Sequence, residues 1–149
     1  MSYHYNNTYT MINNNHCKIN KYEIKTQLYD KYIRIISLNM KTSDYYETII
    51  KEEDLESIEE NFDIINIHDL YMVINDSLSS DEYYTCKIYC VEDVFVIDIN
   101  QTIKDMSDNI KIILDINKKK SSEIYKRSNN VLFDGWGDFF DKFEEFLDR

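Results

Sequence analysis

From Tyr22 onward apolar and polar residues alternate with a period of two. In YEIKTQL, Tyr22, Ile24, Thr26 and Leu28 interleave with Glu23, Lys25 and Gln27, the pattern of a half-buried strand. Tyr29-Asp30-Lys31 turns the chain into YIRIISLNM, where Ile33, Ile35, Ile36 and Leu38 predict a second strand, and Ser43-Asp44 precedes a third, YYETII. The period changes at Lys51. Leu55, Ile58 and Phe62 fall at i, i+3 and i+7 with Glu52, Glu53, Glu56, Glu59 and Glu60 opposite them, which predicts a short amphipathic helix. A second helix is expected from Ile67 to Ser79, on the stripe Ile67, Leu70, Tyr71, Ile74 and Leu78. Strands resume with TCKIYCV, where Cys86, Ile88 and Cys90 share a face. VFVIDIN follows across a turn at Glu92-Asp93, and NIKIILDIN directs Ile110, Ile112, Leu114 and Ile116 inward.

Short connections within each strand group imply antiparallel pairing. The expected fold class is α+β: an antiparallel β-sheet or small sandwich with a two-helix insertion (βββ-αα-βββ) and a C-terminal amphipathic helix. One domain spans residues 21–118. It is preceded by a polar arm, 1–20, read as flexible or as one loosely paired edge strand. A polar basic stretch, 119–130, follows as a linker or the frayed extension of a helix, and an aromatic helix, 131–149, ends the chain. The expected core includes Ile35, Leu55, Ile58, Ile74, Ile88, Ile97 and Ile112, with Cys86 and Cys90 as buried apolar thiols.

Composition sharpens this picture in two places. The 149 residues include two glycines, no proline and no alanine, so Asn, Asp, Ser and Lys must make the turns, and of these Asn and Asp tolerate the left-handed region best. The net charge of −11 is uneven: residues 41–115 hold 19 of the 28 acids and 5 of the 17 bases. Such a surface repels phosphate backbones and anionic lipid heads, which argues against nucleic-acid and membrane partners and is compatible with a basic protein partner. The three cysteines are too few and odd in number for a disulfide scaffold, and the first twenty residues have no continuous apolar core, so an intracellular, soluble setting is expected.

Both glycines flank the only tryptophan, in DGWGDFF. Asp138 can cap a helix whose Phe139, Phe140, Phe143, Phe146 and Leu147 form a wide apolar stripe. Trp136 and these five residues are the candidate interaction site, either as a lid on the chain's own sheet or as a docking element for another chain. No phosphate-cradling loop, nucleophile elbow or zinc-protease motif is present, so no catalytic residue, cofactor or metal is assigned. Cys86 and Cys90, four apart on a strand, stand ~13 Å from each other and do not form a local zinc pair. A site assembled from distant residues, such as His16, Cys17 and His68, is the competing enzymatic or metal-binding reading.

The stretch YIRIISLNM…SDYYETIIKEEDLESIEENFDI resembles a paralogous group of uncharacterised proteins of giant, mimivirus-like DNA viruses, over roughly residues 17–118. The order of elements also resembles, more distantly, the globular head of scaffold proteins of DNA end joining and of centriole assembly. Those heads precede a long coiled coil, whereas KKKSSEIYKRSNN shows no sustained heptads. The resemblances imply a non-enzymatic interaction or scaffold module of a viral protein, with an unknown protein partner or a second copy. They place it in the cytoplasm of the infected host cell, or, as a structural component, in the virion.

Overall fold

The computed structural model describes residues 10–58, 62–79, 83–101 and 109–128. Seven strands form one sheet: β1 Met11–Ile19, β2 Tyr22–Tyr29, β3 Tyr32–Asn39, β4 Tyr45–Lys51, β5 Tyr84–Val91, β6 Val94–Gln101 and β7 Asn109–Ile116. A 3₁₀ helix, Glu52–Ser57, and the helix α1, Ile67–Leu78, lie between β4 and β5, and α2, Lys118–Ser128, follows β7. The strand order is β1-β2-β3-β4-β7-β6-β5, with every neighbouring pair antiparallel. The fold is therefore α+β with a mainly β core.

The period-two reading places all six expected strands. Within β2, Ile24, Thr26 and Leu28 stand across from Ser37, Ile35 and Ile33 of β3 on one face. The same face carries Tyr46 and Ile50 of β4, Ile110, Ile112 and Leu114 of β7, and Phe95, Ile97 and Ile99 of β6, which together form the core cluster. The sheet curls around α1, which packs on β2, β3, β5 and β6 through Ile67, Leu70, Tyr71 and Ile74. Asn66 starts that helix: its side chain accepts from the Asp69 N–H at 2.9 Å, while the Asp69 carboxylate accepts from the Ile65 and Asn66 N–H groups. This reciprocal capping satisfies first-turn donors that the helix itself cannot.

Four expectations need correction. The sheet has a seventh strand, because residues 11–19 pair along β2 with a register shift between Met11 and Asn13; this is the edge-strand alternative for the arm. The KEEDLE segment forms a 3₁₀ helix and no α-helix. A continuous α-helix would set Glu52 over Glu56 and Glu56 over Glu60, and such like-charge pairs destabilise it; its three apolar residues offer little to offset that. Residues 118–128 are helical where a linker was the first reading, with the Asn117 side chain accepting from the Lys120 N–H at 3.0 Å. Finally, Leu55, Ile58, Ile88 and Cys86 are half-buried and Cys90 is exposed. The cause for the last three is position: β5 is an edge strand, so its side chains have a neighbouring strand on one side only.

The opposite sheet face is also covered. Ile36, Leu38 and Tyr45 are fully buried there, as is Ile124 of α2, which packs on β4. The Tyr45 N–H donates to Ser121 Oγ at 2.8 Å and the Lys120 ammonium lies 4.9 Å from the Tyr45 ring centre. Two buried faces explain why β3 reads as a nearly continuous apolar run.

Candidate functional site

The ladder between β4 and β7 closes after two pairs, Tyr46 with Ile116 and Glu47 with Asp115. Beyond them the strands part around a cleft of about 390 Å³ lined by Thr48, Ile49, Ile50, Asp54, Ser57, Ile58, Leu70 and residues 109–113. Among the described residues, one backbone edge of 48–51 and one edge of 109–114 have no strand partner. The last pair formed sets two carboxylates, Glu47 and Asp115, opposite each other, with Glu47 held by Arg34, Lys120 and Asn117. The 3₁₀ helix begins at Glu52, and the Asp54 carboxylate accepts from the Lys51 N–H at 2.8 Å, which satisfies that donor at the end of β4.

The walls combine seven aliphatic residues with Thr48, Asp54, Ser57, Asn109 and Lys111. Ile50, Ile110 and Ile112 face the core side, with Leu70 of α1 beneath, whereas Ile49 and Ile113 stand on the outer side, 52% and 46% exposed. The charged side chains of the lining are Asp54 and Lys111; outside it, the Glu52 carboxylate accepts from the Ile67 N–H, and Glu53 and Glu56 are exposed. The nearest cation on β7, Lys111, is cross-strand from Asp98. The cleft's described lining offers aliphatic contact surface together with the polar side chains of Thr48, Asp54, Ser57, Asn109 and Lys111.

A second constellation lies at the other end of the sheet. The Tyr22 hydroxyl and Cys90 Sγ are 3.1 Å apart, and Tyr46 lies 3.7 Å from the same sulfur. Burial, reinforced by the contact with Cys90, pushes the Tyr22 hydroxyl up to about 12 and raises that of Tyr46 further. The Cys17 thiol, on the core face of β1, is pushed up to about 11 by burial, with Cys86 and Glu23 adding to the effect. Burial therefore favours the neutral forms of these two phenols and of the Cys17 thiol.

The residues singled out from the sequence separate in space. His16 is on the outer face of β1, 2.6 Å from the Glu23 carboxylate, whereas Cys17 turns to the core face, and His68 is exposed in the first turn of α1. Among the described residues no three His, Cys, Asp or Glu side chains group to hold a metal ion, and no helix is long and apolar enough to cross a membrane. Trp136, Phe139, Phe140, Phe143, Phe146 and Leu147 lie outside the described residues. Sequence reasoning missed the cleft. Each wall alone reads as an ordinary strand, so no local signal marks it.

No protein-family model and no curated protein sequence matches the chain. Its fold is similar to that of the head domain of human CCDC61, with a TM-score of 0.61 and 8% sequence identity over 70% of this chain and 99% of that one. At that identity the likeness concerns the fold alone.

Proposed function

We propose that this chain is a non-enzymatic protein-protein interaction or scaffold module that receives a segment of its partner in the cleft between β4 and β7. The observation that carries this reading is the cleft itself: strand edges without a strand partner among the described residues, flanked by aliphatic and polar side chains, with Ile49 and Ile113 exposed. The fold likeness to a head domain agrees with it. The resemblances noted in the sequence support a setting in the cytoplasm of an infected cell or in the virion, and the acidic charge supports a basic partner. The aromatic stripe from Trp136 to Leu147 serves as a second docking element.

The test compares the full chain with the Ile113→Lys variant and with a chain lacking residues 131–149, each purified from the cells that make the protein. A stoichiometric partner held by the full chain, and lost from Ile113→Lys at unchanged melting temperature, supports the reading. A partner lost only from the truncated chain moves the site to the aromatic stripe. One equivalent of bound metal, or turnover of a small substrate, overturns the non-enzymatic assignment.

A further inference from the structure

At one end of the sheet, the β1-β2 and β3-β4 connections meet around a hollow of about 630 Å³, lined by Lys18, Asn20, Lys21, Tyr22, Met40 and Lys41. We infer that this hollow binds a small phosphate-bearing molecule, held by its three lysines. It shares no residue with the cleft between β4 and β7, so the inference stands independently of the interaction-module reading.

The backbone around the hollow is tied down. Asn20 is the first residue of the two-residue loop between β1 and β2 and has φ of 55°, a left-handed value that asparagine tolerates better than most residues. The Met40 N–H donates to the Lys21 carbonyl at 2.8 Å, which joins that loop to the one between β3 and β4. In the second loop the Asn39 side-chain oxygen accepts from the Lys41 and Thr42 N–H groups at 2.9 and 3.2 Å. The Ser43 N–H closes the turn on the Asn39 carbonyl at 2.8 Å. Lys18, Lys21 and Lys41 thus extend from two loops bonded to each other, and a ligand meets them without first ordering a loop.

Charge names the guest. The lining holds three ammonium groups and no carboxylate. All three lysines are exposed, and among the described residues none of them forms an ion pair. Two neighbouring acids are engaged elsewhere: Glu23, across from Lys18, lies 2.6 Å from His16, and Asp44 accepts from the Thr42 hydroxyl at 2.8 Å. Cations gathered without acids among them, in a chain of net charge −11, mark where an anion is favoured. The same net charge limits the anion's size. A long polyanion extends over the acidic remainder of the surface and is repelled, whereas a compact one stays close to the lysines. Phosphate suits them, because a monoester carries about −1.5 to −2 charges on one group at pH 7 and lysine meets it as a point charge. Tyr22 and Met40 add apolar lining for the organic remainder of the molecule.

The experiment titrates the full-length, nitrogen-15-labelled protein with inorganic pyrophosphate and follows its amide resonances. Saturable shifts are expected, confined to residues 18–22 and 39–43, and the affinity should fall as salt is raised. Lys18→Gln, Lys21→Gln and Lys41→Gln should each weaken binding about threefold, and Lys18→Gln combined with Lys41→Gln about tenfold, the scale of exposed ion pairs. Lys41→Arg should retain binding. Lys119→Gln, which removes an exposed charge from α2, should leave it unchanged. All the substituted lysines are exposed, so the variants should melt with the parent chain.

A titration without saturable shifts overturns the proposal, as does an equal loss of affinity in Lys41→Gln and Lys119→Gln. A hexaglutamate peptide that binds as tightly as pyrophosphate overturns it by making carboxylates the ligand. Vesicles of phosphatidylcholine and phosphatidic acid that bind the chain when pyrophosphate does not overturn it too, by placing the phosphate on a membrane. Failure of every arm leaves the interaction-module reading in place, since that reading rests on the cleft.

Discussion

Ser37, Ser77 and Ser121 are all buried, yet they hold their hydroxyls differently, and the difference predicts opposite signs for the same substitution. Ser37 Oγ, on the core face of β3 between Ile24 and Tyr46, has no hydrogen-bond partner. A buried hydroxyl without a partner costs about 1–3 kcal/mol relative to one solvated in the unfolded chain. Ser37→Ala removes that cost and opens only an oxygen-sized void, which takes back a fraction of the gain through lost packing contacts. The net expectation is a stabilisation of about 1 kcal/mol, or a melting temperature about 2–4 °C higher for a chain of this size. Ser121 is the contrasting case. Its Oγ accepts from the Tyr45 N–H at 2.8 Å and donates to the Asn117 carbonyl at 2.8 Å. Ser121→Ala takes away the acceptor of a buried main-chain donor, for a loss of about 1–3 kcal/mol. Urea titrations followed by circular dichroism measure both, and equal m-values make the midpoints comparable. A Ser37→Ala midpoint below that of the unmodified chain, or a Ser121→Ala midpoint equal to it, would refute the reasoning.

Glu92 has φ of 56° at the first position of the two-residue loop between β5 and β6, the II′ arrangement that favours glycine. Glu92→Gly should therefore raise the thermal midpoint, since the left-handed penalty of ~1–2 kcal/mol exceeds the added chain entropy of ~0.5–1 kcal/mol. Ile97, fully buried between Ile88 and Ile112, should cost about 2–5 kcal/mol when cut to alanine, read as a shift of the urea midpoint. Alkaline stability follows from Cys17 and Tyr22, whose neutral forms the fold favours. The native chain keeps protons that the unfolded chain releases from about pH 9 for the thiol and 10 for the phenol. Stability is then complete below about pH 9 and falls as pH rises toward 11 and 12, and Cys17→Ser should delay the onset. A flat midpoint across that window would contradict it.

The strands were legible because alternation reports a face directly. Tyr22, Ile24 and Leu28 point to the core as their spacing requires, and the same holds through Phe95, Ile97 and Ile99. The KEEDLE segment was misread because its apolar spacing suits an α-helix while its charges oppose one, and a pattern of apolar positions counts only the first. Depth of burial along β5 was misjudged for a different reason. Alternation shows which way Cys86, Ile88 and Cys90 face, but their exposure depends on β5 being the last strand of the sheet, and strand order is not written in any one segment.

That limit bears hardest on the cleft. Its two walls are more than fifty residues apart in sequence, and each alone reads as an ordinary strand. YYETIIK hydrogen-bonds fully to β3, and NIKIILDI hydrogen-bonds fully to β6, so neither carries a local fault that would mark a site. The opening arises only when the two strands are set side by side in the register of Tyr46 with Ile116, where the ladder ends after Glu47 and Asp115. The exposed isoleucines follow from the same geometry: Ile49 and Ile113 would shield each other in a closed ladder and lose that contact where the strands part.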